Sequence, residues 1–285
     1  MRADLQLAVA QLDARPGALA ANAAAVRAAA VAARADVLLT PELSLTGYDV
    51  RDRAAALALP LALGSTPGAP FEALHDAPGL VIAGAIEAGP ETVPYNVAMG
   101  VAGASIRHLH RKIYLPTYGM FDEARWFGSG GKLEPWSLPG GWRAGVLVCE
   151  DFWHPGLVYV LASAGIDVLL VLAAAPGRGV WEGGAHGDFA SADAWEGIAC
   201  TTARLYGIYV ALANRVGVEG AVTFAGGSLI VSPEGVVLAR APALEPATIR
   251  ATLEPNALAR ARRPAFHGRD DDPRLVAREL LRHHG

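Results

Sequence analysis

Residues 145–153 read GVLVCEDFW, an apolar run that ends at a cysteine followed by two acidic residues. A short apolar run bounded by polar residues is typical of a strand buried on both faces. Pro155 to Ala164 follows as a predicted helix with proline in its first turn, and Val168 to Leu172 is a second apolar strand. The order of strand, helix and strand places Cys149 at the end of a buried strand.

Strands and helices alternate along the rest of the chain as well. No linker-like stretch interrupts them, which predicts one α/β domain over residues 1–285, with mixed sheets covered by helices. Its core covers about residues 5–255, and a tail covers about 256–285. The other predicted strands are Leu5 to Gln11, Val37 to Leu39, Leu80 to Ile86, Tyr95 to Val101, Ser105 to Leu109, Ile208 to Ala213, Ser228 to Val231, Val236 to Ala239 and Ala247 to Leu253; the other predicted helices are Ala18 to Ala35, Ala190 to Tyr206 and Pro273 to His284.

Composition and charge narrow the possible partners. The 285 residues carry a formal net charge of −4, which gives no electrostatic reason to expect nucleic acid or an anionic membrane as a partner. No apolar stretch is long enough for a membrane span, and the N-terminus lacks the features of a signal peptide. The two cysteines are far apart in the chain, so we expect no disulfide framework and a reducing, cytoplasmic location.

Three polar residues follow predicted strands closely: Glu42, Lys112 and Cys149. Ligand clefts in α/β folds open at strand ends, where loops converge above the sheet. A carboxylate there can take the thiol proton, the thiolate can attack a carbonyl or nitrile carbon, and an ammonium can stabilise the resulting oxyanion. Spacing alone leaves other roles open, namely a core thiol, a charge at a helix N-terminus and a solvated lysine.

The segments around these residues resemble the conserved blocks of the nitrilase superfamily of carbon–nitrogen hydrolases. The resemblance extends over roughly residues 5 to 255 and implies a four-layer α-β-β-α sandwich. It also implies subunits that pair through helices, so that we expect a homodimer or a higher even-numbered homo-oligomer. The similar segments are Pro41 to Tyr48, Arg111 to Pro116, Val148 to Trp153, Asn214 to Gly217 and Phe224 to Gly235.

The resemblance also implies a role for each site residue. Glu42 corresponds to the general base, Lys112 to the cation beside the thiolate and oxyanion, and Cys149 to the nucleophile that forms a thioester. Many amidases of the superfamily carry a second glutamate between the lysine and the cysteine. Glu123 matches it, and we expect Glu123 to orient the substrate amide and Lys112.

Within the superfamily, the motifs are most similar to the glutaminase domain of glutamine-dependent NAD synthetases. One departure concerns residues 172–179, LAAAPGRG, which lack the polar residues of those glutaminases and introduce Arg178. The predicted substrate is therefore another small amide. Two roles stay open for Arg178, a partner for a carboxylate on that substrate and a surface loop residue. The predicted substrate-binding residues are Tyr48, Tyr118, Glu150, Trp153 and Arg178, with the backbone N–H of Glu150 as an oxyanion donor.

Other functions remain open at the level of sequence. The chain could be a glutaminase that donates ammonia to a separate synthetase, or a non-catalytic interaction module of the same fold. A nitrilase is a further alternative, although Glu150 stands where true nitrilases usually have tryptophan. The histidines His108, His110, His154 and His186 lack metal-ligand spacing, so we expect neither a metal nor a cofactor.

Overall fold

The computed structural model describes residues 2–179, 189–263, the backbone of 264 and 265, residue 268 and residues 270–284. Residues 180–188, which include His186, lie outside the described residues. The strands are Leu5–Gln11 (β1), Val37–Leu39 (β2), Leu80–Ala88 (β3), Pro94–Ala102 (β4), Ser105–Arg111 (β5), Trp136–Ser137 (β6), Arg143–Val148 (β7), Val168–Ala173 (β8), Tyr209–Asn214 (β9), Val216–Glu219 (β10), Val222–Ala225 (β11), Leu229–Val231 (β12), Val237–Arg240 (β13) and Ala247–Leu253 (β14). The helices are Leu19–Ala33 (α1), Ala54–Leu57 (α2), Pro155–Ser163 (α3), Ala190–Tyr206 (α4), Pro255–Ala265 (α5) and Pro273–His284 (α6).

Twelve of these strands form two six-stranded sheets. The first has the order β14-β1-β2-β3-β4-β5, and the second has the order β13-β12-β9-β8-β7-β6. The central strands of each sheet are parallel, β1-β2-β3 in one and β7-β8-β9 in the other, while the outer strands are antiparallel. Strands β10 and β11 form a separate hairpin. Both sheets are therefore mixed, as the sequence predicts.

The two sheets pack face to face between layers of helices. Alternate residues of β1 point to opposite faces, so that Leu7 and Val9 join the core between the sheets while Ala8 packs toward α1. On the other side, α3 and α4 cover the second sheet, with Leu161 and Ala199 in the same buried cluster as β7 to β9. The result is the four-layer α-β-β-α sandwich that the resemblance implies.

The predicted helices form close to their predicted limits. Helix α4 ends at Gly207, which adopts a left-handed conformation (φ 57°) and donates its N–H to Ala203 O. Cys200 lies in α4 and is partly buried against the core. Helix α6 is exposed along its length and presents Leu280 and Leu281 to solvent. Among the described residues, no helix is long and apolar enough to cross a membrane.

Strand ends bring the predicted site residues together. Strand β5 continues to Arg111, so Lys112 is the first residue after it, and β7 ends directly before Cys149. Glu42 follows β2 after two further residues. Because β2 and β5 belong to the first sheet and β7 to the second, the site lies where both sheets end.

Candidate active site

Cys149 lies at a tight turn at the end of β7. Its φ is +48°, a left-handed conformation that costs about 1–2 kcal/mol for a residue with a Cβ. Such strain is concentrated at functional sites, where the surrounding structure holds it in place. Burial raises the pKa of the Cys149 thiol well above its usual value, and the charge of Glu42 raises it further, against the opposing effect of Lys112. The resting site therefore holds a neutral thiol.

The Glu42 carboxylate is buried and receives three hydrogen bonds. Oε1 accepts from Lys112 Nζ at 2.7 Å and from Asn96 Nδ2 at 2.8 Å, and Oε2 accepts from the Ala174 backbone N–H at 3.1 Å. These donors come from both sheets, because Asn96 lies on β4 and Ala174 directly follows β8. The carboxylate is thus fixed across the boundary between the sheets.

The turn that carries Glu42 depends on a glycine in the neighbouring strand. Leu43 has a φ of +49°, and its backbone lies against Gly84 on β3. A Cβ at Gly84 would lie 2.1 Å from Leu43 N and 2.8 Å from Pro41 O. Only glycine allows this turn to approach the sheet so closely.

Lys112 is fully buried between two carboxylates. Its Nζ lies 2.7 Å from Glu42 Oε1 and 2.9 Å from Glu123 Oε1. Burial disfavours the charged ammonium, but the charges of Glu123 and Glu42 outweigh it and hold the pKa of Lys112 well above its usual value. The site therefore contains a permanent cation.

Glu123 begins a short 3₁₀ turn, and its side chain is buried beside Lys112. The Tyr48 hydroxyl donates to Glu123 Oε1 at 2.5 Å. Burial raises the pKa of Glu123 from 4.5 to about 7, and the Glu42 charge adds to this, whereas Lys112 and the Tyr48 hydrogen bond oppose it. Glu123 thus changes its protonation near neutral pH.

Cys149 opens into a cavity of about 120 Å³. Two predicted pocket residues, Tyr118 and Glu150, are joined in its wall, because the Tyr118 hydroxyl donates to Glu150 Oε2 at 2.7 Å. Trp153 and Arg178 also line it. The other lining residues are Phe121, Ala175, Pro176, Ser191 and Trp195.

Arg178 lies at the exposed rim of this cavity. Its guanidinium is 5.3 Å from the centre of the Phe121 ring, and a Cβ at Gly119 would lie 3.1 Å from Nη2. The backbone N–H of Arg178 donates to Ser191 Oγ at 3.0 Å, which fixes the main chain at this point. A cation therefore stands at the entrance to the cysteine cavity.

Tyr48 lines a neighbouring cavity of about 350 Å³ rather than the cysteine cavity itself. Phe121 lines both cavities and packs edge-on against the Tyr48 ring. Tyr48 thus reaches the site through Glu123. The backbone N–H of Tyr48 donates to the Glu219 carboxylate, which pairs with the buried Arg215.

Three groups at the site were not predicted from the sequence. Asn96 and the Ala174 backbone N–H hold Glu42, and Asp151 hydrogen-bonds to residues on both sides of the site. Asp151 lies in the same segment as Cys149, but its contacts depend on how the sheets pack. Among the described residues, no group of three or more histidine, cysteine, aspartate or glutamate side chains is arranged to hold a metal ion.

The sequence matches the carbon–nitrogen hydrolase family over residues 5–263, and the chain belongs to that family. It is 32% identical over 252 residues to a glutamine-dependent NAD(+) synthetase of Rhodobacter capsulatus. The match covers 87% of this chain and 43% of that relative, so the chain spans less than half of the relative's length. The similarity to the glutaminase domain of these enzymes is thereby confirmed.

Solved structures of the same fold cover almost the whole chain. A carbon–nitrogen hydrolase from Helicobacter pylori G27 superposes with a TM-score of 0.81 at 22% identity, over 98% of this chain and 99% of that one. A mutant amidase from Nesterenkonia sp. AN1 gives a TM-score of 0.72 at 25% identity, over 92% and 95% of the two chains. In that amidase, the acetamide moiety of fluoroacetamide is covalently attached to the active-site cysteine.

Proposed function

We propose that the protein is an amidase that hydrolyses the C–N bond of a small amide through a thioester on Cys149. The observation that carries the proposal is the buried cluster of Glu42, Lys112 and Glu123 beside that thiol. Buried ion pairs contribute little to stability, because desolvation offsets their attraction. A charged cluster at the end of both sheets, next to a nucleophile, is therefore better explained by chemistry.

The reaction begins with proton transfer from the neutral Cys149 thiol to Glu42. The thiolate attacks the amide carbon, and the Lys112 ammonium and the backbone N–H of Glu150 stabilise the oxyanion. Glu42 returns the proton to the leaving nitrogen, so that the C–N bond breaks and ammonia or an amine departs. Glu42 then takes a proton from water, and the water oxygen attacks the thioester carbon. The C–S bond breaks, the carboxylic acid leaves, and Glu42 returns the proton to the Cys149 sulfur.

Glu123 has a positioning role in this scheme. Its carboxylate accepts hydrogen bonds from the Lys112 ammonium and from the Tyr48 hydroxyl. When ionised, it keeps Lys112 charged and fixes the Nζ position, and its free lone pair can accept from the substrate NH₂ group. The reaction therefore favours the ionised form of Glu123.

The volume of the cavity and the arginine at its rim favour a small substrate that carries a carboxylate. A cavity of about 120 Å³, walled by aromatic rings, limits the acyl group to a few heavy atoms. Arg178 stands at its rim, where it can pair with a carboxylate carried by the substrate. The proposed substrates are amides of short carboxylic acids with a second, free carboxylate.

A second candidate is a glutaminase that supplies ammonia to a separate synthetase. The 32% identity to a glutamine-dependent NAD(+) synthetase supports it. Glutamine also carries a carboxylate that Arg178 could bind. Activation of glutamine hydrolysis when a synthetase is added would favour this candidate, whereas the intact charged cluster argues against a non-catalytic module.

A panel of amides tests the proposal. Glutamine, aliphatic amides, carbamoyl amino acids and nitriles are incubated with the enzyme and with the variants Cys149→Ala and Cys200→Ala. We expect ammonia release from at least one carboxylate-bearing amide, complete loss of it in Cys149→Ala and normal rates in Cys200→Ala. Mass spectrometry of the trapped acyl adduct on Cys149 identifies the acyl group. Full activity of Cys149→Ala would refute the mechanism.

We also propose that the protein pairs through its outer helices. A groove of about 390 Å³ lies between α3 and α4, and Val160 and Leu205 are about half exposed nearby. Large exposed apolar residues on one helical layer are typical of a subunit contact. Sedimentation equilibrium of the wild type and of Leu205→Glu tests this: a dimer that the substitution dissociates is expected, and a wild-type monomer would refute it.

A further inference from the structure

The proposed mechanism requires groups from two different sheets to meet. Lys112 follows β5 in the first sheet, and Cys149 follows β7 in the second. The contact between the sheets is an apolar core, whose attraction is strong but not directional. Catalytic groups must be held within about 0.5 Å of their productive geometry. Directional polar contacts between the sheets are therefore needed near the site.

The Asp151 carboxylate provides such contacts. It is fully buried, and Oδ1 accepts from the backbone N–H groups of Ile113 at 3.0 Å and Tyr114 at 2.8 Å. These are the two residues directly after Lys112. Oδ2 accepts from the backbone N–H of Val148, directly before Cys149, at 3.1 Å. One side chain thus joins the backbone around the lysine to the backbone around the cysteine.

A fourth contact strengthens this arrangement from the strand side. His110 on β5 is buried, and its Nε2 lies 3.4 Å from Asp151 Oδ2. Asp151 therefore contacts β5 before Lys112 and the segment that follows β5 after it. Its bond to Val148 N also closes the turn in which Cys149 is held at a φ of +48°. Both the cation and the nucleophile depend on the same carboxylate.

We propose that Asp151 is a positioning residue that sets the distance between the Lys112 ammonium and the Cys149 sulfur. The inference rests on the proposed function, because it assigns Asp151 a purpose only if those two groups react together. Asparagine in its place has one acceptor oxygen and one NH₂ group, so it cannot accept from both Tyr114 and Val148. Three backbone N–H groups and the His110 ring surround this buried carboxylate, so it holds chain segments in place.

Asp167 provides a matched control. It is also fully buried, accepts from the Arg143 backbone N–H at 3.0 Å and from Arg2 Nη1 at 2.8 Å, and lies at the opposite end of β7 and β8. Replacement of either aspartate by asparagine removes one buried carboxylate from its hydrogen bonds. Both variants therefore lose stability, but only Asp151→Asn alters the site.

The test compares Asp151→Asn with Asp167→Asn by amide kinetics and by iodoacetamide alkylation at several pH values. Peptide mapping separates Cys149 from Cys200, which serves as the internal reference. The charged groups acting on Cys149 are Glu42, Lys112 and Glu123. If Lys112 moves away from the thiol, alkylation of Cys149 needs a higher pH. We expect Asp151→Asn to lower kcat and the alkylation rate at least tenfold, with KM within twofold, and to move the alkylation midpoint upward.

Three outcomes decide the inference. The inference is supported if the alkylation midpoint of Cys149 shifts in Asp151→Asn but stays normal in Asp167→Asn, whose Tm is lower. Identical midpoints in both variants and in the wild type overturn it alone. The proposed function is overturned as well if wild-type Cys149 reacts no faster than Cys200 and the enzyme hydrolyses no amide.

If Asp151→Asn does not fold, His110→Leu serves as a second variant, because it removes a single contact. We expect an upward shift of the alkylation midpoint and a fall of about two- to fivefold in the alkylation rate. An unchanged rate and midpoint would overturn the inference.

Discussion

The Tyr48 hydroxyl donates a 2.5 Å hydrogen bond to Glu123 Oε1, the oxygen that also receives a hydrogen bond from Lys112 Nζ. The carboxylate is therefore shared between a phenol and an ammonium. The main chain of Tyr48 is held in turn by Glu219, which Arg215 neutralises. A residue outside the cysteine cavity thus controls a charge inside the site.

Tyr48→Phe shifts the pH dependence of the reaction upward. The hydrogen bond from Tyr48 lowers the pKa of Glu123, which burial has raised to about 7. Loss of this hydrogen bond raises the pKa of Glu123 further, by about one unit if the bond contributes about 1.5 kcal/mol. Since the mechanism needs the ionised carboxylate, we expect the acidic limb of the kcat profile to move to higher pH. At pH 7 the rate falls five- to tenfold.

Tyr209→Phe is the matched control for this prediction. Tyr209 is buried, and its hydroxyl bonds to the backbone of Glu254, outside the active site. We expect Tyr209→Phe to lose some stability and keep the wild-type pH profile. An acidic limb at the same pH in Tyr48→Phe and wild type would contradict the role assigned to Tyr48.

Glu123→Gln is expected to raise the stability of the protein at pH 8 and to lower kcat. The folded pKa of about 7 is above the usual 4.5, so between these values the folded protein holds the proton more tightly than the unfolded chain does. Stability is consequently lost as pH rises through this range. We expect Glu123→Gln to raise the free energy of unfolding at pH 8 by on the order of 2 kcal/mol, with little change at pH 4.5, where both side chains are neutral.

Urea unfolding at the two pH values measures this difference. In parallel, kcat at pH 8 should fall at least a hundredfold, because glutamine supplies no charge to Lys112. Higher stability at pH 4.5 as well as at pH 8 would mean that ionisation of Glu123 is not the cause.

Gly84→Ala disrupts the turn that carries Glu42. A methyl group 2.1 Å from Leu43 N cannot be accommodated unless the backbone moves. We expect a loss of about 1–3 kcal/mol in stability, as for other overpacked sites, and at least a tenfold fall in kcat. Gly197→Ala is the control, since a Cβ there meets nothing within 4 Å and alanine favours helix α4. Normal kcat in Gly84→Ala would show that Glu42 tolerates displacement.

Arg178→Gln tests the source of substrate selectivity. A charged hydrogen bond between the guanidinium and a substrate carboxylate contributes about 1.5–3 kcal/mol, which corresponds to a tenfold or larger rise in KM when it is lost. We expect that rise for carboxylate-bearing amides and less than a twofold change for uncharged ones. Arg53→Gln, an exposed arginine outside the cysteine cavity, is the control. Equal effects on charged and uncharged amides would exclude Arg178 as a carboxylate-binding residue.

The architecture could be predicted because its local patterns agree with its packing. Short apolar runs such as Val168 to Leu172 became central strands, and the Ala190 to Tyr206 segment became α4 at its predicted limits. Glu42, Lys112 and Cys149 could be proposed as site residues because each closely follows a strand and stands in a segment that resembles a known block. In these cases the residue type and its position along the strand are both visible in the sequence.

Other parts of the site depend on properties that residue types do not reveal. The stretch around Ala174 has no polar side chains, yet its backbone N–H binds Glu42. The contacts of Asp151 depend on how one sheet lies against the other. Tyr48 lines the cavity beside the cysteine cavity, and Phe121 lines both, an arrangement that depends on tertiary packing.

The division of the site between two sheets has a consequence for how the protein fails. Glu42 and Lys112 belong to one half of the sandwich, and Cys149 to the other. A slight slip of the halves against each other leaves every strand hydrogen-bonded within its own sheet. In mild denaturant, hydrolysis should therefore be lost before the circular dichroism spectrum changes. The catalytic rate then reports how well the two halves stay aligned.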